Sequence, residues 1–458
     1  MEDQTLPTDG TAAEPAGKLF DLDEPAPAPA SPPSPDGRRR LRYAHRTQVS
    51  MRTCSLDQLI PEDHPVRTVW AYVEGLDLSE LERKIKAVEG RAGASATDPR
   101  ILLTLWLYAT LRGIGSAREL DRRCDPDLGE VPFQWISGGV TLNYHTLADF
   151  RVQHVDVLDG LLTSSVAVLL EQDLVSMERV AQDGMKVRAS AGAASFRRRS
   201  RLEQFREEAQ AQVEALKKEV DTDPAAGTRR QQAARARARA DRAERLRRAL
   251  EQLPQVEASK PVKERDKARV STTDPEARVM KMGDGGYRPA YNVQLATDTQ
   301  TQIITGIDAI NSGGDQGKLA PMVEQHDERY QEKPQAMLVD GGFAKKEDIE
   351  SVEQAGTTVY APVQASKDPQ RDPHTPRPDD TPKVAEWRQR MATAAAKEIY
   401  KERASTAECV NAHARNRGLY QFRVRGLAKV KAVVLLYVLA HNLMRARTVR
   451  AERENQRE

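Results

Sequence analysis

The segment YNVQLATDTQTQIITGIDAI, residues 291–310, carries the clearest strand pattern in the chain. Apolar and polar residues alternate over 291–298 and again over 302–310, with a short polar turn between the two runs. Alternation with a period of two is typical of a half-buried β-strand, and two such runs around a short turn predict a β-hairpin. This hairpin predicts that the middle of the chain builds a sheet.

Further strands are predicted on both sides of the hairpin. ERVAQDGMKVRASA (178–191) precedes it, and AMLVDGG (336–342) and TTVYAPV (357–363) follow it. Helical patterns lie between and after these strands, at about 316–330, at 345–354, as one long helix at about 384–415, and as a nearly all-apolar helix at 427–447. Strands that alternate with helices after a hairpin predict an α/β fold with a sheet of mixed direction.

Residues 46–175, before the first strand, are predicted to be helical. ILLTLWLYATL (101–111) predicts a buried helix that begins after a capping Asp98 and Pro99. Short helices joined by glycine turns indicate either a helix-turn-helix-like DNA-binding domain or an ordinary bundle with a basic surface. The candidate DNA contacts in this region are Arg118, Arg122, Arg123 and Arg151.

An insertion of different character, residues 197–256, interrupts the strand pattern. Its first arm has apolar residues at spacings of three and four, typical of a helical seam: Leu202, Phe205, Ala209, Val213, Leu216 and Val220. After a turn at 221–228, the second arm contains nine arginines between Arg229 and Leu253. We predict a helical hairpin whose basic arm is either a solvated face or, as its arginine density favours, a contact to DNA phosphates.

The remaining segments indicate linkers and a cellular compartment. Residues 1–45, with eight prolines in 1–37 and the basic cluster RRRLR, predict a disordered leader, and 364–383 predicts a flexible loop.

Three widely spaced cysteines fit neither a disulfide framework nor a zinc site and indicate a reducing compartment. The longest apolar run, 432–440, is too short to cross a bilayer. We therefore expect a cytoplasmic protein that makes no membrane contact.

Three acidic residues are placed where metal-dependent phosphodiester chemistry needs them. That chemistry uses two Mg²⁺ ions, which prefer carboxylate oxygens held on rigid elements. Asp183 lies in the first predicted strand, Asp340 ends the fourth beside two glycines, and Glu408 lies on the long helix that follows the sheet. Taken singly, each acid is also compatible with a turn or a solvated helix position.

The residues around Glu408 strengthen its candidacy. On a straight helix, one arc of about 80° contains the side chains of Tyr400, Glu408, Asn411 and Arg415. Arg403 lies outside this arc, further round the helix axis. This arrangement surrounds one carboxylate with cations, a hydroxyl and an amide. Such surroundings suit a site that binds a metal and a phosphate together.

Blocks of sequence along most of the chain, outside the leader, the hairpin arms and the 364–383 loop, carry a family resemblance. They are SLDQLIPEDHPVR (55–67), LWLYATLRGIGSARELDRRC (105–124), YHTLADFRVQH (144–154), VAQDGMKVRASA (180–191), DPEARVMKMGDGGYRPAYNVQ (274–294), NSGGDQGKLAPMVEQ (311–325), MLVDGGF (337–343) and RGLAKVKAVVLLYVLAHNLMR (425–445). With these blocks the chain resembles bacterial insertion-sequence transposases, which join an N-terminal helical domain to an RNase H-like DDE core.

The resemblance implies a fold class and domain boundaries. It implies an α/β fold: an RNase H-like mixed sheet with flanking helices over 176–450, preceded by an all-α DNA-binding domain over 46–175. The helical-hairpin insertion, 197–256, lies within the catalytic domain.

The resemblance also implies site residues. Asp183, Asp340 and Glu408 fall on the catalytic, metal-binding acids of the family. Tyr400, Arg403 and Arg415 match DNA-contacting positions on the glutamate helix, although the last of these is more often Lys in the family.

The implied activity is Mg²⁺-dependent DNA transposition, with two ions and with Mn²⁺ as a substitute. The enzyme would bind terminal inverted repeats, cleave the transposon ends with activated water and join the 3′-OH to target DNA. The implied partners are repeat and target DNA and a second copy in a synaptic dimer, and the implied location is the nucleoid. A non-catalytic DNA-binding descendant and an RNase H-like nuclease without strand transfer are the alternatives.

Overall fold

The computed structural model describes residues 54–85, 87, 95–222, 228–365 and 370–457. The predicted leader 1–45 lies outside the described residues, and so does the 366–369 part of the predicted loop. From Cys54 onward the chain forms one compact unit.

Helices dominate the described chain. Those before the sheet are α1 (Pro65–Glu74), α2 (Ser79–Arg83), α3 (Pro99–Leu111), α4 (Ala117–Arg123), α5 (Val131–Ser137), α6 (Tyr144–Gln153) and α7 (Val155–Glu171). Those within and after the sheet are α8 (Arg199–Thr222), α9 (Arg229–Ala258), α10 (Leu319–Tyr330), α11 (Lys346–Gln354), α12 (Pro382–Ala392), α13 (Ala394–Arg403), α14 (Cys409–Asn416) and α15 (Leu427–Arg457). Asp98 caps α3 by accepting a hydrogen bond from the Arg100 amide at 2.8 Å, as the sequence predicts.

The strands form a mixed sheet. They are β1 (Arg179–Arg188), β2 (Phe196–Arg197), β3 (Val270–Ser271), β4 (Arg278–Lys281), β5 (Tyr287–Asp298), β6 (Ile304–Ile310), β7 (Ala336–Val339) and β8 (Thr358–Tyr360). In the described residues the main sheet runs β4–β5–β1–β7–β8, and β6 also pairs with β5. β5 is antiparallel to β1, β4 and β6, whereas β1, β7 and β8 are parallel. The expected mixed α/β sheet is confirmed, and its topology is compatible with an RNase H-like core.

One hydrophobic core joins the helices at the start of the chain to the sheet. The buried residues of α1, α3, α6 and α7 belong to the same cluster as those of β1, β5, β6 and α15. At the centre of this cluster lies α15, whose residues from Val434 to Ala440 are 2 % exposed or less. This helix packs against α3, α6 and α7 on the helical side and against β6 on the sheet side.

The hairpin formed by α8 and α9 has a separate, smaller core. Leu202 and Ala209 from α8 meet Leu246 and Leu253 from α9, and Val270 of β3 closes the cluster at the base. Thr228 begins α9 with a reciprocal capping box to Gln231. The hairpin is therefore held together by its own seam, which the spacing of apolar residues predicts.

The prediction of one continuous helix over 384–415 is wrong. The chain there forms α12, α13, a π-helical turn at Ala404–Glu408, and α14. Thr393 ends α12 and caps α13 by accepting a hydrogen bond from the Ala396 amide. A threonine cap and a π turn each interrupt the 3.6-residue period over only a few residues, so the pattern does not reveal them.

One described helix is long and apolar enough to cross a membrane. It covers Leu427–Gln456, and 61 % of its most apolar stretch is buried inside the protein. Burial of that kind is what the core helix of a globular protein shows.

Removing a side chain from the centre of α15 tests its role in the core. Leu435→Ala should lower the free energy of unfolding by about 2–5 kcal/mol, because Leu435 is fully buried and its loss leaves a cavity. Lys429→Ala, on the exposed face of the same helix, should change it by about 0.5 kcal/mol or less. Urea denaturation measures both, and equal effects would contradict the central position of α15.

Candidate active site

The register of β1 and β7 places two of the predicted acids side by side. These strands are parallel, and Gln182 pairs with Val339. The next residue on each strand is an aspartate, Asp183 on β1 and Asp340 just beyond the end of β7. Carboxyl ends of parallel strands meet at one edge, so both side chains reach the same space.

Arg403, the last residue of α13, bridges all three predicted acids. Its Nη2 lies 3.0 Å from Oδ1 of Asp183 and 3.8 Å from Oδ2 of Asp340, and its Nη1 lies 3.9 Å from Oε1 of Glu408. The Arg403 side chain is 11 % exposed, whereas that of Glu408 is 67 % exposed. The three acids therefore converge on one guanidinium, at the boundary between the interior and solvent.

The Asp183 carboxylate is the most buried of the three and the best provided with donors. Its Oδ2 accepts a hydrogen bond from Nδ2 of Asn411 at 2.8 Å, and its Oδ1 accepts from the Gly184 amide at 3.0 Å as well as from Arg403. Burial raises the pKa of Asp183, while the charge of Arg403 and the Gly184 hydrogen bond lower it. The nearby charges of Asp340 and Asp315 raise this pKa further.

The π-helical turn explains how Arg403 and Asn411 reach the same carboxylate. On a straight α-helix, residues eight apart differ by about 80° in direction. A π turn holds more residues than an α turn, so it rotates the following residues back. Arg403 and Asn411 flank the Ala404–Glu408 turn, and both contact Asp183. Single π turns of this kind occur frequently at functional sites.

The other predicted residues of the glutamate helix differ in their surroundings. Burial raises the pKa of Tyr400, the charge of Arg403 opposes that rise, and the charges of Asp340 and Asp183 add to it, so Tyr400 lies beside the acids. Arg415 is exposed, and its side chain makes no hydrogen bond or ion pair with another described residue. It faces solvent with its charge available to a partner.

A second polar cluster lies on the opposite face of β1 around Asp315. The sequence indicates Asp315 as an acid near the sheet with a structural or DNA-side role, but sequence reasoning did not find its partners. Oδ1 of Asp315 accepts hydrogen bonds at 2.7 Å from the side-chain amides of Asn292 and Gln294. A Cβ at Gly184 would lie 2.4 Å from that oxygen, so a larger residue there would require the Asp315 side chain to shift. The available signal was the pair of polar residues two apart in β5, Asn292 and Gln294, because buried polar residues on one face need partners.

The four candidate DNA contacts in the helical region are not equivalent. Arg118 is exposed and lies over the ring of Tyr144 at 4.9 Å, and Arg122 is exposed without an ion pair to any described residue. Arg123 pairs with Glu119 at 3.0 Å and with Glu130. Arg151 is only 7 % exposed and lies over the ring of Trp106.

The three acids fit a divalent cation by their chemistry. Carboxylate oxygens are the ligands that Mg²⁺ prefers, and all three acids already face one shared cationic group, Arg403. In the part of the chain that is described, no set of three or more Asp, Glu, His or Cys side chains is arranged to hold a metal as it stands. The guanidinium of Arg403 bridges the acids instead.

Replacing Arg403 tests how far Asp183 depends on it. Arg403→Gln should destabilise the protein at pH 7, because the buried Asp183 carboxylate loses its cation and its pKa rises further above the ordinary value of 3.8. A carboxyl group whose pKa is higher in the folded than in the unfolded state destabilises the fold as the pH rises above its unfolded-state pKa. The destabilisation caused by Arg403→Gln should therefore be smaller near pH 4 than at pH 7.

A double-mutant cycle measures the coupling directly. Urea unfolding of Arg403→Gln, Asp183→Asn and the double variant should give a coupling of about 0.5–3 kcal/mol at pH 7, with Asp183→Asn removing most of the Arg403→Gln penalty. Additive effects, or the same penalty at both pH values, would show that the two side chains act independently.

Two family models match the chain. A transposase domain (DUF772) matches residues 54–153, and a transposase DDE domain matches residues 364–447. The second range contains Glu408 with Tyr400, Arg403 and Arg415, whereas Asp183 and Asp340 lie outside both ranges. Neither the curated proteins nor the solved structures gave a match. The two matches, in this order along the chain, support an insertion-sequence DDE transposase.

Proposed function

We propose that the protein is the transposase of an insertion sequence, which binds the terminal inverted repeats, cleaves the ends and joins the 3′-OH to target DNA. The observation that carries the proposal is the convergence of Asp183, Asp340 and Glu408 on Arg403. It is supported by a sheet topology compatible with an RNase H-like core and by the match to a transposase DDE domain.

On this proposal, Asp183, Asp340 and Glu408 hold divalent cations, Mg²⁺ with Mn²⁺ as a substitute, in a two-ion site. When bound, such ions activate the attacking oxygen and stabilise charge on the leaving oxygen. Asp183, fixed by Asn411 and Gly184, is the rigid member of the set. Glu408, mostly exposed on a π turn, is the acid with the most freedom to adjust to substrate.

The basic residues near the acids bind and orient the DNA backbone on this proposal. Arg403 exchanges its contacts with the acids for a phosphate, and Tyr400 beside it donates its hydroxyl. Arg415, exposed and unpaired among the described residues, contributes a phosphate contact at the rim. An arginine at this position offers a planar, two-pronged donor where a lysine offers a point charge.

The repeat DNA is proposed to contact the helical region 46–175 and the hairpin. Arg118 and Arg122 are the exposed candidates there, with Arg123 weakened by its two acidic partners and Arg151 withdrawn into the interior. Synapsis of two ends calls for a dimer. The protein is proposed to act at the nucleoid in the cytoplasm. Its cysteines Cys54, Cys124 and Cys409 form no disulfide bond, which is in keeping with a reducing compartment.

Conservative replacement of the acids tests the catalytic assignment. Asp183→Asn, Asp340→Asn and Glu408→Gln should each abolish Mg²⁺-dependent cleavage of DNA that carries the inverted repeats flanking the gene. Binding measured by gel shift should persist, because carboxylates do not attract phosphates. Glu398→Gln, an exposed acid on α13 that pairs with Lys401, is the matched control and should cleave normally.

The products of the same assay separate the alternatives. Joined strand-transfer products identify a transposase, whereas cleavage without joining identifies a nuclease. Near-normal cleavage by any of the three variants would remove that residue from the site.

The hairpin provides a second test, because its arginines differ in their pairing. Arg235, Arg237 and Arg242 are exposed and form no ion pair with a described residue, whereas Arg247 and Arg248 pair with Glu244. Replacing the first three by Gln should weaken repeat-DNA binding and make its logarithmic salt dependence shallower by about 2–3 units, since each phosphate contact contributes roughly 0.9.

Arg247→Gln with Arg248→Gln is the control for the loss of charge alone. Because these two arginines are already neutralised by acids, the salt dependence should change little. Equal effects of the two sets would show that the hairpin acts through net charge and makes no specific contact.

A further inference from the structure

A cleft lies where the helical region meets the C-terminal part of the chain. Its walls come from α3 and the loop after it, from α6, from the loop between α14 and α15, and from α15 itself. Its volume is about 50 Å³. A single water molecule needs about 10–15 Å³ of cavity volume. The cleft therefore has room for a small tetrahedral oxyanion in place of a few waters.

Two glycines allow the cleft to form. Gly113, after α3, and Gly418, after α14, have φ values of +71° and +87°. The loops cross so closely that a Cβ at Gly418 would lie 2.9 Å from the carbonyl oxygen of Gly113. Gly115 and Arg417, close to this crossing, also line the cleft, so the crossing is part of its construction.

The cleft is cationic and contains no acid. Arg151 from α6, Arg417 from the loop after α14 and Arg423 line it, and none of the described residues around it is Asp or Glu. Arg151 and Arg417 form no ion pair with a described residue. Burial lowers the pKa of Arg151 to about 10, which leaves it charged at neutral pH. A buried cation without a counter-charge is costly, so an anion at this place would stabilise the fold.

Three residues that line the cleft each have a buried donor without a hydrogen-bond partner among the described residues. The donors are Nε of Arg151, Nη1 of Arg417 and the hydroxyl of Tyr437. Arg151 is 7 % exposed and Tyr437 is 1 % exposed. Burial raises the pKa of Tyr437 and the charge of Arg417 opposes that rise, so Tyr437 stays protonated close to that arginine.

Unsatisfied buried donors cost about 1–3 kcal/mol each, and native proteins contain few of them. Three donors and no carboxylate call for a ligand rich in acceptors and negative in charge. Oxyanions with several oxygens fit this description best, because arginine binds phosphate oxygens with charge-assisted hydrogen bonds. The volume admits one such group and not a stretch of nucleic-acid backbone.

We propose that this cleft binds one phosphate group through Arg151, Arg417 and Tyr437. The phosphate is either a free inorganic ion or the 5′-terminal phosphate of a DNA strand, and both present the same oxygens. Bound there, it ties α6 of the helical region to the end of α14, nine residues after Glu408. The proposal does not depend on the transposase function, because binding of the free ion is measured without DNA.

The first experiment uses the full chain and inorganic phosphate. Its thermal midpoint should rise saturably with phosphate at constant ionic strength, with chloride as the reference, and titration calorimetry should give a binding constant. Arg417→Gln should weaken binding by about tenfold or more, and Tyr437→Phe by about three- to tenfold. Lys429→Gln, an exposed cation on α15 outside the cleft, should bind phosphate normally.

A second experiment identifies the source of the phosphate. Matched oligonucleotides with a 5′-phosphate or a 5′-hydroxyl are compared on the parent chain and on Arg417→Gln. A 5′-phosphate preference that Arg417→Gln abolishes assigns the cleft to a strand end, and phosphate binding without such a preference assigns it to the free ion. The proposal is overturned if phosphate stabilises no more than chloride, or if Arg417→Gln and Tyr437→Phe both bind as the parent does.

Discussion

The burial of α15 is the constraint on which the rest of the molecule depends. Its fully buried segment fills the space between the helical region and the sheet, and each large apolar side chain placed there contributes about 1.5–3 kcal/mol. Polar contacts then fix its position. The Asn442 side chain accepts from the Ile304 amide at 2.8 Å and donates to the Ile304 carbonyl at 2.7 Å, and the His441 ring bonds to the Gln302 carbonyl at 2.9 Å. A helix held in this way fixes β6 and the turn before it.

The pairing of β6 with the rest of the sheet determines the positions of the acids. β6 pairs with β5, β5 pairs with β1 so that Asp183 lies opposite Leu295, and β1 pairs with β7 so that Asp340 follows at the same level. The third acid comes from outside the sheet, on a π turn packed against β1 and β5. Among the described residues only Arg403 contacts all three acids, so its guanidinium holds two strands and a helix at one point.

How much of this arrangement the sequence predicts depends on the range of each interaction. Strand alternation and apolar spacing are local, so the patterns predict the β5–β6 hairpin, the helical hairpin seam and the apolar helix α15. The position of Asp183 and Asp340 at one sheet edge follows from parallel pairing, and the resemblance supplies their role. The π turn is invisible to a 3.6-residue pattern, which is why Arg403 was expected further round the helix than Asn411. Relations between distant segments leave no periodic trace at all, such as the hydrogen bond between Asn292 and Asp315 or the placement of Arg151 and Arg417 along one cleft.

Arg403 also links the state of the acids to the binding of DNA in the proposed function. A guanidinium and a divalent cation need the same carboxylate oxygens, and two positive charges in that small space repel each other. Arg403 therefore has to leave the acids before a cation can take its place, and its side chain, only 11 % exposed, leaves at a cost unless another anion receives it. A DNA phosphate is such an anion and matches the fork of the guanidinium. On this proposal, the acids stay paired with an internal cation when DNA is absent. When DNA binds, the same arginine would turn to the backbone, so that the carboxylates would become free for the metal with the substrate in place.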